Sequence, residues 1–158
     1  MNKVAAPSIH VREANQNDVE ALARLAGQLG YPAHPDQIVA RLAALRETLS
    51  AVWVAVAEDD VVGFVQATVQ CSMLLDRVAE IEALVVEDGL RGQGIGRRLA
   101  ASAENWASLQ GCRTMRVRPN IVRQGAYVFY GKIGYGHVTT AFTFLKTLNE
   151  DSSTATQE

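Results

Sequence analysis

A glycine-rich handover from strand to helix constrains this chain more than any other feature. It reads Leu84-Val85-Val86-Glu87-Asp88-Gly89-Leu90-Arg91-Gly92-Gln93-Gly94-Ile95-Gly96-Arg97. Before it, Val78 to Val86 alternates at a period of two and is predicted to be a strand. After it, Ile95, Leu99, Ala103 and Trp106 recur at helical spacing from about Gly94 to Gln110, and Gly111 provides the stop. Thr114 to Arg118 reads as another strand. Strand, helix and strand in direct succession call for a right-handed crossover between two parallel strands.

The remaining pattern supplies the rest of the sheet. Ile9 to Arg12 is a short first strand. Asn17, with Glu20 three positions on, is the expected cap of a helix carrying Val19, Leu22, Ala23, Ala26 and Leu29, and Gly30 ends it. Pro35 suits the first position of a second helix with Ile38, Leu42, Leu45 and Leu49 on one side. Ala51–Ala57 and Val61–Gln70, joined by Glu58-Asp59-Asp60, read as an antiparallel hairpin. Arg123 to Ile133 is a fourth helix with Gly134 behind it, and Gly136 to Thr147 is a last strand. The order is β-α-α-β-β-β-α-β-α-β: an α/β fold with a mixed, mostly antiparallel sheet flanked by helices. One domain over residues 1–148 and a loose tail over 149–158 are expected.

Charge is divided along the chain. Arg91 to Lys146 holds nine basic residues against a single acid, Glu104, leaving six basic and sixteen acidic residues elsewhere. The overall charge of −2 therefore joins a basic, glycine-rich half to an acidic one, which points to a small anionic ligand rather than a nucleic acid. The loop explains how such a ligand is held. The first N–H groups of a helix lack internal partners and carry the positive end of its dipole. Glycines let a phosphate reach that backbone, while Arg91 and Arg97 add charge. Two well-known phosphate loops do not fit. A Walker loop needs Lys-Ser/Thr where Ile95-Gly96 stands, and the dinucleotide fingerprint needs glycine where Arg97 stands.

The remaining signals are negative. Met1 to His10 has no signal-peptide core and no apolar run is long enough to span a bilayer, so a cytoplasmic protein without membrane contact is expected. Cys71 and Cys112 are expected as reduced, buried thiols. His10, His34 and His137 lie on separate elements and suggest no metal site.

The segment Arg91-Gly92-Gln93-Gly94-Ile95-Gly96 resembles the acetyl-CoA signature of the GCN5-related N-acetyltransferases, Arg/Gln-x-x-Gly-x-Gly/Ala. Ala126-Tyr127-Val128-Phe129-Tyr130-Gly131-Lys132-Ile133-Gly134-Tyr135 resembles that family's second signature, and the element order is similar from about Ser8 to Leu148. The resemblance implies the acyl-CoA N-acyltransferase fold, with acetyl-CoA as cosubstrate in a gap between the fourth and fifth strands. It implies that the backbone of Leu84, Val85 and Val86 pairs with the pantetheine arm and that Gly92, Gln93, Gly94, Ile95, Gly96 and Arg97 hold the pyrophosphate. Arg91, Asn120 and Tyr127 are further candidate cofactor contacts.

Acetyl would pass directly to a primary amine of a small molecule or protein. Tyr130 matches the family's general acid for the leaving thiolate; a tyrosine near ~10 remains protonated where a thiol near ~8.5 is ionised. Glu80 and Glu82 fall on one face of the strand and are the two candidate bases, since paired carboxylates raise one another's pKa. Family members often dimerise, and Val138 to Leu145 is apolar enough to contribute. The alternatives are a catalytically weak acyl-CoA-binding sensor or an RNA-directed protein. Retention of Tyr130 and both glutamates speaks against the first, and the lack of basic-aromatic interleaving against the second.

Overall fold

The computed structural model describes residues 8–119 and 124–148. The chain divides into two compact units, Met1–Val122 and Arg123–Glu158. In the first, β1 (Ile9–Glu13), β2 (Ser50–Ala57), β3 (Asp60–Gln70), β4 (Val78–Val86) and β5 (Thr114–Val117) form one sheet in that order. The first three pairings are antiparallel and β4–β5 is parallel. Among its described residues this unit has three α-helices: α1 (Val19–Gln28), α2 (Pro35–Leu45) and α3 (Ile95–Leu109). The second unit contributes α4 (Gln124–Lys132).

The two sheet faces have separate cores. Val54, Val56, Phe64 and Val85 meet Leu22, Leu25 and Ile38 of α1 and α2. On the opposite face Val69 and Ala79 pack with Ala107 and Cys112, and Trp53 stacks edge-on against Trp106 of α3 at 5.7 Å. Gly63 is required where β3, β4 and α3 converge. A Cβ there would lie 2.8 Å from the Val85 carbonyl oxygen and 3.2 Å from Leu99. Gly63→Ala is expected to destabilise the fold by about 1–3 kcal/mol, measurable by urea unfolding.

Local chemistry sets the boundaries. Pro35 is the first residue of α2, with His34 as cap and Gln37 completing the reciprocal box. At α1 the expected cap moves: Asn15, not Asn17, closes a box with Asp18 around a short 3₁₀ turn, and α1 follows from Val19. Asp18 is chosen because it also answers Arg12. Both its oxygens accept from that guanidinium at 2.8 Å, which with the Asn15 N–H holds its carboxyl below the usual range despite burial. Gly30, Gly111 and Gly134 take positive φ after their helices, as their positions predict.

Three further expectations change. Gly136–Thr147 forms no strand; among the described residues no neighbouring strand takes up its main-chain groups. Cys71 is exposed, because it begins the β3–β4 loop, while Cys112 is buried. The strict alternation along β4 is broken as well. Gln66 pairs with Ala83 but Ala67 with Ile81, so Glu82 is an extra, unpaired residue: a β-bulge. Beyond it the faces exchange. Ala83 and Val85 join the face of Glu80, and Leu84 and Val86 join that of Ile81.

Candidate functional site

The parallel pairing of β4 with β5 runs only from Val78↔Thr114 to Ile81↔Val117. Beyond it β4 continues for five residues, Glu82 to Val86, with no strand on that side among the described residues. Neighbouring backbone groups point alternately to the two sides of a strand. Val85 pairs with Phe64 on β3, its carbonyl lying against Gly63, and the Glu87 N–H donates to the Val62 carbonyl at 2.8 Å. Leu84 and Val86 therefore turn their groups toward the opening. Val85, expected to share that role, is spent on β3. The Val86 carbonyl accepts from Arg91 Nε at 3.2 Å, which leaves its N–H as a donor into the opening.

At the end of this strand lies the glycine loop. Gly92 and Gly94 have φ of +78° and +82°, and a Cβ at either would meet nothing within 4 Å. The glycines are there for backbone direction and open access rather than packing. Gly94 caps α3 with no side-chain hydrogen bond, and the first turn holds no acid. The Arg98 N–H is the first to close back on Gly94, so the N–H groups of Ile95, Gly96 and Arg97 precede the helical ladder. Arg97 is exposed on that turn, and Arg91, in the loop before it, is ion-paired with Asp88 at 2.8 Å. An uncapped helix start with open glycines and nearby guanidinia fits a pyrophosphate.

Gly94→Ala is expected to destabilise the fold by about 1–2 kcal/mol through the cost of a left-handed backbone on a residue with a Cβ, read by urea unfolding. Other members of the basic cluster serve the protein itself. Arg98 donates to the Ile9 carbonyl, and Arg116 and Arg118 engage Glu80.

The two glutamates occupy different surroundings. Glu80 is 2% exposed. Its Oε2 accepts from Arg116 Nε at 2.8 Å and from Gln70 Nε2 at 3.2 Å, and its Oε1 from Arg118 Nε at 2.7 Å. Arg116 also reaches Gln70 Oε1 at 2.6 Å. This cluster ties β3, β4 and β5 together just before the opening begins. Arg116→Leu would strip a buried carboxylate of its main donor and is expected to cost about 2 kcal/mol, measured by urea unfolding. Glu82 is exposed at the bulge, yet its carboxyl is pushed above the ordinary range, first by desolvation and then by the charge of Glu80, against a weaker pull from Arg118 and Arg116.

Within the second unit, Tyr130 is half-buried, its ring edge-on to Phe129 at 5.0 Å and to Tyr135 at 5.4 Å. Burial pushes its phenol up to about 12. Gly131 sits inside α4 without interrupting it, and Tyr127 is exposed. Asn120 lies outside the described residues.

The sequence profile of the "Acetyltransferase (GNAT) family" matches residues 14–135. The chain belongs to the GNAT acetyltransferase family. A 66-residue stretch of this GNAT protein is 39% identical to the aminoalkylphosphonate N-acetyltransferase of Salmonella typhimurium, covering 42% of this chain and 43% of that enzyme. Its fold is similar to aminoglycoside N-acetyltransferase AAC(6')-Iy in complex with CoA, with TM-score 0.81 and 19% identity over 92% of this chain and 99% of that one. It is also similar to glucosamine-6-phosphate N-acetyltransferase from Arabidopsis thaliana, with TM-score 0.75 and 17% identity over 87% and 98% of the two chains.

Sequence reasoning missed three residues at this site. Arg24 and Gln28 of α1 hold Glu87, and Gln28 Oε1 also accepts the Asp88 N–H at 3.3 Å, so α1 steadies the entrance to the glycine loop. Gln70 completes the Glu80 cluster. Neither contact has a local signature, because the partners are far apart in sequence. Among the described residues no group of His, Cys, Asp or Glu is placed to hold a metal ion, and no helix is long and apolar enough to cross a membrane.

Proposed function

We propose that this GNAT protein transfers acetyl from acetyl-CoA directly to the primary amine of a small molecule. The observation that carries this reading is the opening along Glu82–Val86, which ends at an uncapped, glycine-lined helix start. Leu84 and Val86 offer main-chain groups to the pantetheine arm, and the N–H groups of Ile95, Gly96 and Arg97 take the pyrophosphate. The Val86 N–H is positioned to stabilise the oxyanion of the tetrahedral intermediate. Glu82 takes a proton from the bound ammonium, the neutral amine nitrogen so freed bonds to the acetyl carbon, and as the C–S bond breaks the second nitrogen proton is lost and the departing thiolate is protonated, giving the amide and the free thiol. Tyr130 donates a hydrogen bond to the departing thiolate. With its phenol near 12 it gives that bond without losing its own proton early.

Glu80, closed in by Arg116, Arg118 and Gln70, is assigned to holding β4 and β5 together rather than to proton transfer. Two relatives whose names specify small amine substrates, an aminoalkylphosphonate and an aminoglycoside N-acetyltransferase, support a small-molecule acceptor. The test is thiol release from acetyl-CoA across a panel of aminoalkylphosphonates, aminoglycosides and polyamines. Turnover with at least one class is expected. Tight CoA binding by calorimetry with no turnover on any amine would replace this reading with an acyl-CoA sensor.

A further inference from the structure

The sheet face that carries Glu80 changes character along β3. Phe64, Gln66, Thr68 and Gln70 share that face, because successive side chains point to opposite sides of a strand. Phe64 is buried with Val54, Val85 and residues of α1 and α2. The other three are polar and half-buried. In the register Thr68 lies opposite Glu80 and Ser50 opposite Thr68, with the two hydroxyls 2.7 Å apart. Arg116 lies opposite Glu80 on the other side. A half-face of hydroxyls, amides and guanidinia gains nothing from an apolar cover and suits a polar ligand.

Charge on this half-face does not balance. Arg116 and Arg118 both form their ion pairs with Glu80. That single carboxylate is fully used, Oε2 by Arg116 and Gln70 and Oε1 by Arg118. Two guanidinia against one carboxylate leave one positive charge over. Arg118 holds it in usable form. Only its Nε is engaged, at 2.7 Å, so among the described residues Nη1 and Nη2 have no partner. The bond at Nε fixes the guanidinium, and the two Nη groups present a planar fork that matches the oxygens of an acid. Its place is equally specific. Ile81↔Val117 is the last pair of the β4–β5 ladder, so Glu82 and Arg118 come next, one on each side where the opening begins.

We propose that Arg118 binds an acidic group of the acceptor, so that the substrate is a small amine carrying a carboxylate or a phosphorus acid a few bonds from its nitrogen. This rests on the acetyl-transfer reading with Glu82 as base: the ammonium lies at Glu82 and the acid at Arg118. Neighbouring strands are about 4.8 Å apart, so amine and acid must be close together in the substrate. Glu80 is the positioning residue of this contact, since it is buried and holds Arg118 by Nε.

The test is the kinetics of thiol release with four amines of similar length: 2-aminoethylphosphonate, β-alanine, propylamine and 1,3-diaminopropane. At least one of the two acids is expected to exceed both others in kcat/KM by about tenfold or more, and the pair shows whether phosphorus acid or carboxylate is preferred. Arg118→Gln is expected to lower that ratio by about 10–100-fold through KM, the worth of a hydrogen-bonded charge. Arg118→Lys keeps the charge without the fork and should retain part of the preference. Propylamine or the diamine used as well as the acids, or a preference for acids that survives Arg118→Gln in a folded protein, would overturn the assignment while leaving acetyl transfer standing. Thiol release with none of the four would count against acetyl transfer to such amines instead, and calorimetry with the two acids then reads the site directly. Binding that is lost in Arg118→Gln supports it, and no binding to the wild-type protein overturns it.

Discussion

If Tyr130 acts as proposed, Tyr130→Phe is expected to lower kcat by about 10²–10³-fold while the affinity for acetyl-CoA changes little. A donor aimed at charge that develops only in the transition state is worth that much, and its loss is not felt in the ground state. The pH profile separates this role from ring packing, since phenylalanine keeps the contacts with Phe129 and Tyr135. Burial places the phenol near 12, so the wild-type rate should not fall through tyrosine ionisation anywhere below about that pH. Stopped assays of thiol release, with calorimetric CoA binding alongside, check both statements. A kcat within twofold of wild type would remove Tyr130 from the chemistry.

Glu82→Gln is expected to lower kcat by about 10²-fold and to abolish the acidic limb of the pH–rate profile. The base must be ionised to act, and desolvation together with the charge of Glu80 lifts its pKa above the ordinary range. The wild-type limb should therefore lie above that range as well. The same shift gives a sign for stability. A carboxyl raised in the folded state contributes stability at pH below its unfolded value, and this contribution is lost as pH rises through the folded value. At neutral pH Glu82 is therefore held at a cost, and Glu82→Gln should melt at the same temperature or higher. Loss of activity without loss of stability, by calorimetry and kinetics on one preparation, marks a group kept for chemistry. Glu80→Gln should behave oppositely, losing stability first, because it opens the cluster with Arg116 and Arg118.

Most of the fold is carried by local rules that can be read in one dimension. The period of two marks β4 at Val78–Val86, the period of 3.6 marks α3, and Gly30, Gly111 and Gly134 close their helices with left-handed backbones. The glycine loop was legible for the same reason: an uncapped helix start needs only residues that are neighbours in sequence. Glutamates 80 and 82 were found by type but not told apart. Alternation places them on one face, and only the bulge opposite Gln66 and Ala67 separates them. Nothing within β4 announces that bulge, since it is a mismatch in how two strands align.

The sequence by itself determined most of the elements, their order and the glycine-lined helix start at Gly92–Arg97, because helix ends, turn glycines and hydrophobic periods depend on residues within one or two turns of each other. Only the tertiary structure decided which glutamate is enclosed, which backbone groups of Leu84–Val86 remain free, and which strand pattern goes unpaired. Each of these depends on what lies across the sheet. Arg116 of β5 and Arg118 just beyond it reach Glu80, Val85 pairs with Phe64 of β3, and among the described residues 136–148 has a strand-forming composition but forms no strand. Ladder pairing and desolvation are long-range properties, and a pattern of residues states a preference that only a neighbour can satisfy.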